Sequence, residues 1–283
     1  MTDTPTAIVT GGGSGIGEAL SMKLAHRGAR VVVADIDEDA AQRVAATITG
    51  SGGRATASRV DVTREQDITR LVNETAAEYG HLDYQFNNAG IAIAGDARDL
   101  TLDQWRRVLA VDLYGVLYGT LAAYPIMASR GSGHIVNISS GAGLVPGPLI
   151  APYCTAKHGV VGLSLSLRLE GADLGVKVSV VCPGWVRTKI FETAEMVNLP
   201  QERAYQTTGR IKMLEAERAA RAIMDGVARN RALIAFPGYV RLAWRVTCLF
   251  PRLLDRTGRR RVQETRKYRT PHGDGWIPGV PSP

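Results

Sequence analysis

The sequence predicts an α/β fold, a single doubly wound domain with a mostly parallel seven-stranded sheet and helices on both faces. Three observations lead there. Short runs rich in Val, Ile and Ala alternate with longer helical stretches, the pattern of strands joined by crossover helices. The runs at 30–35 and 177–182 are apolar with little alternation, as strands covered on both faces must be. A glycine-rich turn follows the first run, where sheets of this kind open a ligand crevice at their carboxyl edge.

Strands are expected at 6–10, 30–35, 55–60, 84–87, 134–139, 177–182 and, as the seventh, 232–235. The 84–87 run is the least typical, since it mixes Tyr and Phe with Gln and Asn. Helices are expected between them at 16–27, 38–49, 65–78, 102–129, 153–174 and 215–229, where apolar residues recur at three- and four-residue spacing. No internal repeat or low-complexity linker interrupts residues 1–235. Residues 236–283 differ in composition and read as a separate C-terminal extension, ending in an irregular stretch rich in Pro and Gly at 270–283.

Hydrophobic residues at 45% and charged residues at 22% suit a packed core and exclude a chain disordered throughout. Cys154, Cys182 and Cys248 are odd in number and far apart, so they read as reduced thiols of a cytoplasmic protein and not as a disulfide framework. The five histidines share no ligand spacing, and no metal site is expected. The start lacks the basic and long apolar segments of a secretory signal, which agrees with a cytoplasmic location. Ten Lys and Arg against three Asp and Glu at 236–283 account for the whole formal charge of +7. No nucleic-acid recognition fold accompanies that charge, so nucleic acid is not an expected partner.

The turn Thr10-Gly11-Gly12-Gly13-Ser14-Gly15-Ile16-Gly17 opens the first helix. Its glycines let backbone approach a pyrophosphate, and the free N–H groups of the helix start favour negative charge. By itself such a turn also serves as a plain strand-to-helix connection. The second strand ends in Asp35, followed by Ile36, and an acid there can accept both hydroxyls of an adenosine ribose. No Lys or Arg stands in the turn or directly after Asp35 to offset a 2′-phosphate, which favours NAD(H). The other reading of Asp35 is a helix cap, a task Asp37 can equally perform.

The turn is spaced T-G-x-x-x-G-x-G, and the chain then carries Asn87-Asn88-Ala89-Gly90, Ser140, Tyr153-x-x-x-Lys157 and Pro183-Gly184, in that order. With these motifs on the expected strand ends, residues 5–235 resemble a short-chain dehydrogenase/reductase, with a Rossmann-type domain binding NAD. The resemblance implies contacts to the cofactor from Gly11, Gly13, Ser14, Gly15, Ile16 and Gly17, and from Asp35 and Ile36. It assigns Asp61 and Val62 to the adenine, and lays Asn88, Ala89 and Gly90 along the cofactor, with Asn87 a structural tie. Pro183 and Gly184 lead to Val186 and Thr188, which correspond to the residues that hold the nicotinamide carboxamide. Ser140, Tyr153 and Lys157 correspond to the catalytic residues, and Tyr153 and Lys157 also touch the cofactor. Asp112 stands where the family usually has asparagine.

Tyr153 and Lys157 are four apart on one helix face. Alone they match any solvated helix surface; with Ser140 and the glycine turn they become a site. A phenol with a pKa near 10 needs a shift of ~2 units, or about 3 kcal/mol, to act as a base near neutrality. An ammonium at roughly 5 Å, with an effective dielectric of about 20, supplies ~3 kcal/mol. Ser140 can donate a hydrogen bond to the substrate oxygen as charge develops there. The family role of position 112 is to place a water near the lysine, largely through the backbone carbonyl. An ionised Asp112 at roughly 8 Å would oppose phenol ionisation by about 2 kcal/mol, so the expectation is a preserved proton relay and a raised pH optimum.

Residues 189–212 correspond to the family's mobile substrate cover. Leu144, Val145, Leu149, Trp185, Ile190, Phe191 and Met196 either line an apolar pocket or pack the core. The first reading implies a lipophilic secondary alcohol or ketone, sterol-, terpenoid- or long-chain-like. Beyond them, Arg241, Arg245, Arg252 and Arg256 share one helical face with Trp244 and Phe250 nearby. That gives residues 236–261 two readings, packing in a homodimer or homotetramer, placed first, and peripheral contact with an anionic membrane. The rival function is a NAD-binding sensor, or a membrane- or partner-binding protein, whose catalysis is weak or lost.

Overall fold

The computed structural model describes residues 4–200 and 213–269. The end of the expected cover, 201–212, and the terminal stretch 270–283 lie outside the described residues.

The apolar runs become β1 (Thr6–Thr10), β2 (Arg30–Asp35), β3 (Arg54–Arg59), β4 (Tyr84–Asn87), β6 (Gly133–Ile138), β7 (Val176–Pro183) and β9 (Leu233–Phe236). They lie in the order β3-β2-β1-β4-β6-β7-β9, and every pairing is parallel. The strand order reverses between β1 and β4, so a crevice opens beyond their carboxyl ends. A separate pair of three-residue strands, β5 (Ile93–Gly95) and β8 (Glu195–Val197), stands outside the main sheet.

Alternate side chains of the strands feed opposite layers. Val31 and Val33 of β2 pack with α1 (Gly15–His26), α2 (Glu38–Gly50) and α8 (Ala216–Ala228). Val32 and Ala34 face the other way, toward α3 (Glu65–Tyr79), α5 (Gly115–Arg130) and α6 (Ala151–Glu170). Leu24 and Ile223 are essentially inaccessible to water, so truncating either to Ala is expected to cost about 2–5 kcal/mol.

The helix expected at 102–129 is three pieces: α4 (Leu102–Leu109), a π turn at Ala110–Tyr114, and α5. Thr101 and Gln104 start α4 with a capping box. The wider turn carries Asp112 inward, where it is wholly buried. By length and composition the run Leu102–Arg130 could cross a membrane. A third of its most apolar window is buried inside the protein, and Val116, Thr120, Ala123 and Met127 are among the buried residues. Beyond β9, α9 (Gly238–Leu249) seats Val240 and Trp244 against Leu144 and Ala235, and α10 (Pro251–Arg266) follows, with Pro251 at its first turn. The short α7 (Ile190–Thr193) precedes β8.

Candidate active site

Three separate motifs close on the glycine turn. A Cβ at Gly11 would stand 2.8 Å from Ala89 Cα, one at Gly13 2.9 Å from Asp35 Oδ2, and one at Gly15 3.1 Å from Thr188 Cβ. Gly11 and Gly15 also take positive φ, 62° and 54°, which L side chains rarely adopt. Asn88 spends its side-chain amide on the turn, donating to the carbonyls of Thr10 and Gly11 at 3.0 and 3.1 Å. Asn87 points into the protein, where its amide donates to Asn137 and Thr120. Ser14 holds the N-cap position of α1 and makes no side-chain cap bond. Ile16 packs on the core beneath, as does Val186.

At the end of β2, Asp35 accepts the Gly13 N–H at 2.9 Å and the Asp37 N–H at 3.1 Å. Asp37, and not Asp35, caps α2 by accepting from Ala40, which leaves Asp35 aimed across the turn. Ile36 beside it is 61% exposed, a bare aliphatic surface next to the carboxylate. Asp61 Oδ1 accepts from the Thr63 N–H and hydroxyl, fixing the end of β3, and Val62 abuts Gly115.

The fold also brings Arg43 to this turn, which no local spacing announced. Its guanidinium donates to the Gly13 carbonyl at 2.7 Å and pairs with Glu18 at 2.8 Å. Gly13 is therefore held from its N–H by an acid and from its carbonyl by a base. Pairing with Glu18 raises the Arg43 pKa, and the cation is satisfied within the protein.

Past β7, Gly184 N–H donates to Phe236, and Val186 forms a parallel bridge with Leu214. The bonds of that bridge run through Arg187 and Trp185, so the N–H and carbonyl of Val186 itself face the opposite side. Trp185 N–H donates to the Tyr239 hydroxyl at 2.9 Å, and its ring lies 5.3 Å from that of Phe191.

Tyr153 and Lys157 lie in the first turns of α6, with Nζ 5.5 Å from the phenol ring centre. Lys157 is 3% exposed; its ammonium donates to the Ile138 carbonyl at 3.2 Å and stands 3.5 Å from Asp112 Oδ2. Asp112 Oδ1 accepts the Ile91 N–H at 2.8 Å, while Oδ2 has no hydrogen-bond partner among the described residues. A Cβ at Gly90 would meet Asp112 Oδ1 at 3.2 Å and Lys157 Nζ at 3.5 Å, so the segment after β4 passes directly over the ion pair. Ser140 acts on the Tyr153 phenol and draws its pKa down, and its Oγ accepts from the Ala142 N–H. Ser139 is turned away and donates to the Lys157 carbonyl.

The electrostatic balance differs from the simple expectation. Burial pushes the Tyr153 phenol above its ordinary value; Lys157 and Ser140 pull it down, and Asp112 pushes it up again. Burial also acts against the Lys157 ammonium, but Asp112 and Tyr153 together hold its pKa above the usual lysine range. Burial raises the Asp112 carboxyl, with Lys157 pulling it back. The lysine thus acts on the phenol in the expected direction without outweighing desolvation. Cys154 and Cys182 are buried thiols pushed up by burial, Cys182 to about 12, so neither is a reactive thiolate.

A family model described as short chain dehydrogenase matches residues 5–197. Cyclohexanol dehydrogenase of Acinetobacter sp. (strain SE19) is 40% identical over 197 residues, covering 68% of this chain and 78% of the relative. Meso-2,3-butanediol dehydrogenase of Serratia marcescens is 36% identical over 188 residues, covering 66% of this chain and 74% of the relative. Among solved structures, a short chain dehydrogenase/reductase from Burkholderia phymatum in complex with NAD aligns with a TM-score of 0.80 at 27% identity, covering 97% of this chain and 99% of the other.

Proposed function

Because the chain belongs to the short-chain dehydrogenase/reductase family of oxidoreductases, we propose that it transfers a hydride between NAD(H) and a lipophilic secondary alcohol or ketone, with Tyr153, Lys157, Ser140 and Asp112 as its catalytic residues. The observation that carries this reading is the meeting of the Tyr153 phenol, the Ser140 hydroxyl and the Lys157 ammonium beside Gly90, at the mouth of the crevice that Gly13 and Asp35 begin.

The residues fit NAD. Asp35 stands beside the Gly13 N–H at the end of β2, Gly11 and Gly15 bring no side chain of their own to the turn, and the peptide groups of Val186 face away from its bridge with Leu214. Asp35 disfavours a 2′-phosphate, and the Arg43 guanidinium at the same turn is paired with Glu18. Bound along the turn, NAD supplies the hydride acceptor for alcohol oxidation. Tyr153 as phenolate takes the carbinol proton, and as phenol it returns one to a ketone. Ser140 donates to the same oxygen, countering the charge that develops there. Lys157 stabilises the phenolate. Asp112 anchors the Ile91 amide beneath Gly90 and tempers the lysine field; its backbone carbonyl, within the π turn, is suited to place a water of the proton relay.

A lipophilic substrate is favoured by the Trp185 and Phe191 ring pair beyond Gly184 and by the apolar cluster in which Ile91, Ile93 and Val197 meet Tyr153. The test is a panel of secondary alcohols of rising lipophilicity, beginning with cyclohexanol, read by the absorbance of NADH. Increasing kcat/KM along the panel supports the reading, and NAD binding without turnover across it supports the sensor instead.

The remaining readings stand on less. A homodimer or homotetramer is supported by the exposed apolar side chains Tyr114, Leu121, Leu165 and Leu169 around α5 and α6. Membrane contact is supported by exposed Leu242, Leu249 and Phe250 among the arginines of 236–261, and flotation with anionic vesicles decides it. A cytoplasmic location agrees with three free cysteines. The division at 235/236 into a catalytic domain and an extension falls inside β9, before its last residue, Phe236.

A further inference from the structure

We propose that the C-terminal extension is a working wall of the substrate site: Arg266 and Arg269 latch it to Asp96 and Asp99, and so position the β5–β8 pair beside Tyr153. This rests on the dehydrogenase reading for where the substrate lies; the latch itself rests on contacts that reading does not use.

Asp96 and Asp99 follow β5 directly, and their side chains are only 3% and 6% exposed. Two carboxylates so close and so dry need cations. Part of the need is met within the loop, where Arg98 donates to both oxygens of Asp96 at 3.0 and 2.9 Å. The rest comes from the far end of the chain. Arg266 Nε donates to Asp96 Oδ2 at 2.7 Å, and Arg269 Nε donates to Asp99 Oδ2 at 2.6 Å with a second contact to Oδ1. A two-pronged guanidinium fixes direction as well as distance. Asn198, the residue after β8, helps Arg269 lower the Asp99 pKa.

What the latch grips is itself tied to the site. Gly95 N–H donates to the Leu149 carbonyl at 2.8 Å, within the loop between Ser140 and Tyr153. Glu195 N–H donates to Ala92, and the Glu195 carboxylate accepts from Gln104 and Arg107 of α4 at 2.5 and 2.9 Å. Ile93 and Val197 share an apolar cluster with Tyr153. The extension holds a second point as well, since Tyr239 accepts the Trp185 N–H. It therefore touches the substrate side of that reading through both Trp185 and β5. The family match covers residues 5–197, so these arginines lie outside the matched range and reach back into it.

Arg266 and Arg269 are positioning residues. In Arg266→Ala/Arg269→Ala, KM for cyclohexanol is expected to rise by about ten-fold with kcat within about three-fold, the signature of lost ground-state fit. The dissociation constant for NAD, followed by tryptophan fluorescence, stays unchanged. Arg269→Lys recovers part of the loss, and the swap Asp99→Arg/Arg269→Asp recovers more. Arg245→Ala, which removes an exposed arginine outside the latch, leaves KM as it was. Hydrogen exchange gives a readout independent of turnover: the amides of Gly95 and Glu195 exchange faster in the double variant. Unchanged KM together with unchanged exchange at those amides overturns the proposal, as does a parallel loss of NAD affinity. Wild-type protein that binds NAD but oxidises no alcohol sinks the dehydrogenase reading instead, and the exchange measurement still decides the latch.

Discussion

Asp112 and Asp96 are both carboxylates shut away from water beside a cation, yet their proton affinities move in opposite directions. Asp96 is held well below the ordinary carboxylate range, chiefly by its hydrogen bonds from Arg98, with Arg266 adding to them. Asp112 is pushed up by burial, which Lys157 only partly offsets. The difference lies in the donors. Asp96 receives both prongs of Arg98, its backbone N–H and the Arg266 guanidinium. Asp112 has one backbone N–H and an ammonium at 3.5 Å, an ion-pair distance too long for a good hydrogen bond. A saturated carboxylate is a fastener, and an under-supplied one stays poised to respond when a neighbour changes charge.

The strongest way to break this comparison is Lys157→Met. It removes the cation that Tyr153 relies on and strands Asp112, so kcat/KM for alcohol oxidation is expected to fall about 10³-fold and unfolding to become easier by about 3 kcal/mol. Steady-state rates and urea melts check both; a variant with wild-type stability would mean that Asp112 was never charged in the fold.

Next in size is Asp112→Asn, which keeps the shape and the Ile91 contact but removes the charge. Asp112 raises the Tyr153 pKa, so its neutralisation lets the phenol ionise at lower pH. The acid limb of kcat/KM for oxidation should then move down by about one unit. A superimposable profile would show that the carboxyl carries a proton throughout.

The sequence made the sheet and the reacting side chains legible because their signals are local. β1, β2 and β7 are near-continuous apolar runs, and Tyr153 and Lys157 are one helical turn apart. What it hid is non-local. β5 and β8 have three residues each and pair across about a hundred positions, too short for any periodicity to register. The π turn that buries Asp112 has neither Pro nor Gly within it to mark it. Arg43 reaches Gly13 and Arg266 reaches Asp96 only through the tertiary fold. The same arginine spacing in the extension that suggested one basic face gave no hint that Arg266 and Arg269 turn inward.

Smaller effects sharpen the other side of the comparison. Because the folded state lowers the Asp96 pKa, this group contributes stability that is complete above about pH 4 and is lost as pH falls further. Asp96→Asn should therefore lower stability at neutral pH and flatten the acid side of the profile, the gap to wild type closing as pH falls below about 4. Arg266→Ala should do least, since Arg98 remains on both oxygens; its Tm should fall within about 2 °C of wild type. A larger drop would show that Arg98 alone does not satisfy Asp96.

The most direct measurement compares wild type with Tyr153→Phe in cyclohexanol-dependent NADH formation, alongside NAD binding by each. Phenylalanine keeps the ring and its packing but has no proton to exchange. We expect NAD affinity to be retained and turnover to fall by at least about 10²-fold. Turnover that survives the substitution, or a wild-type protein that does not bind NAD, would contradict a phenol-based hydride-transfer site at the mouth of this sheet.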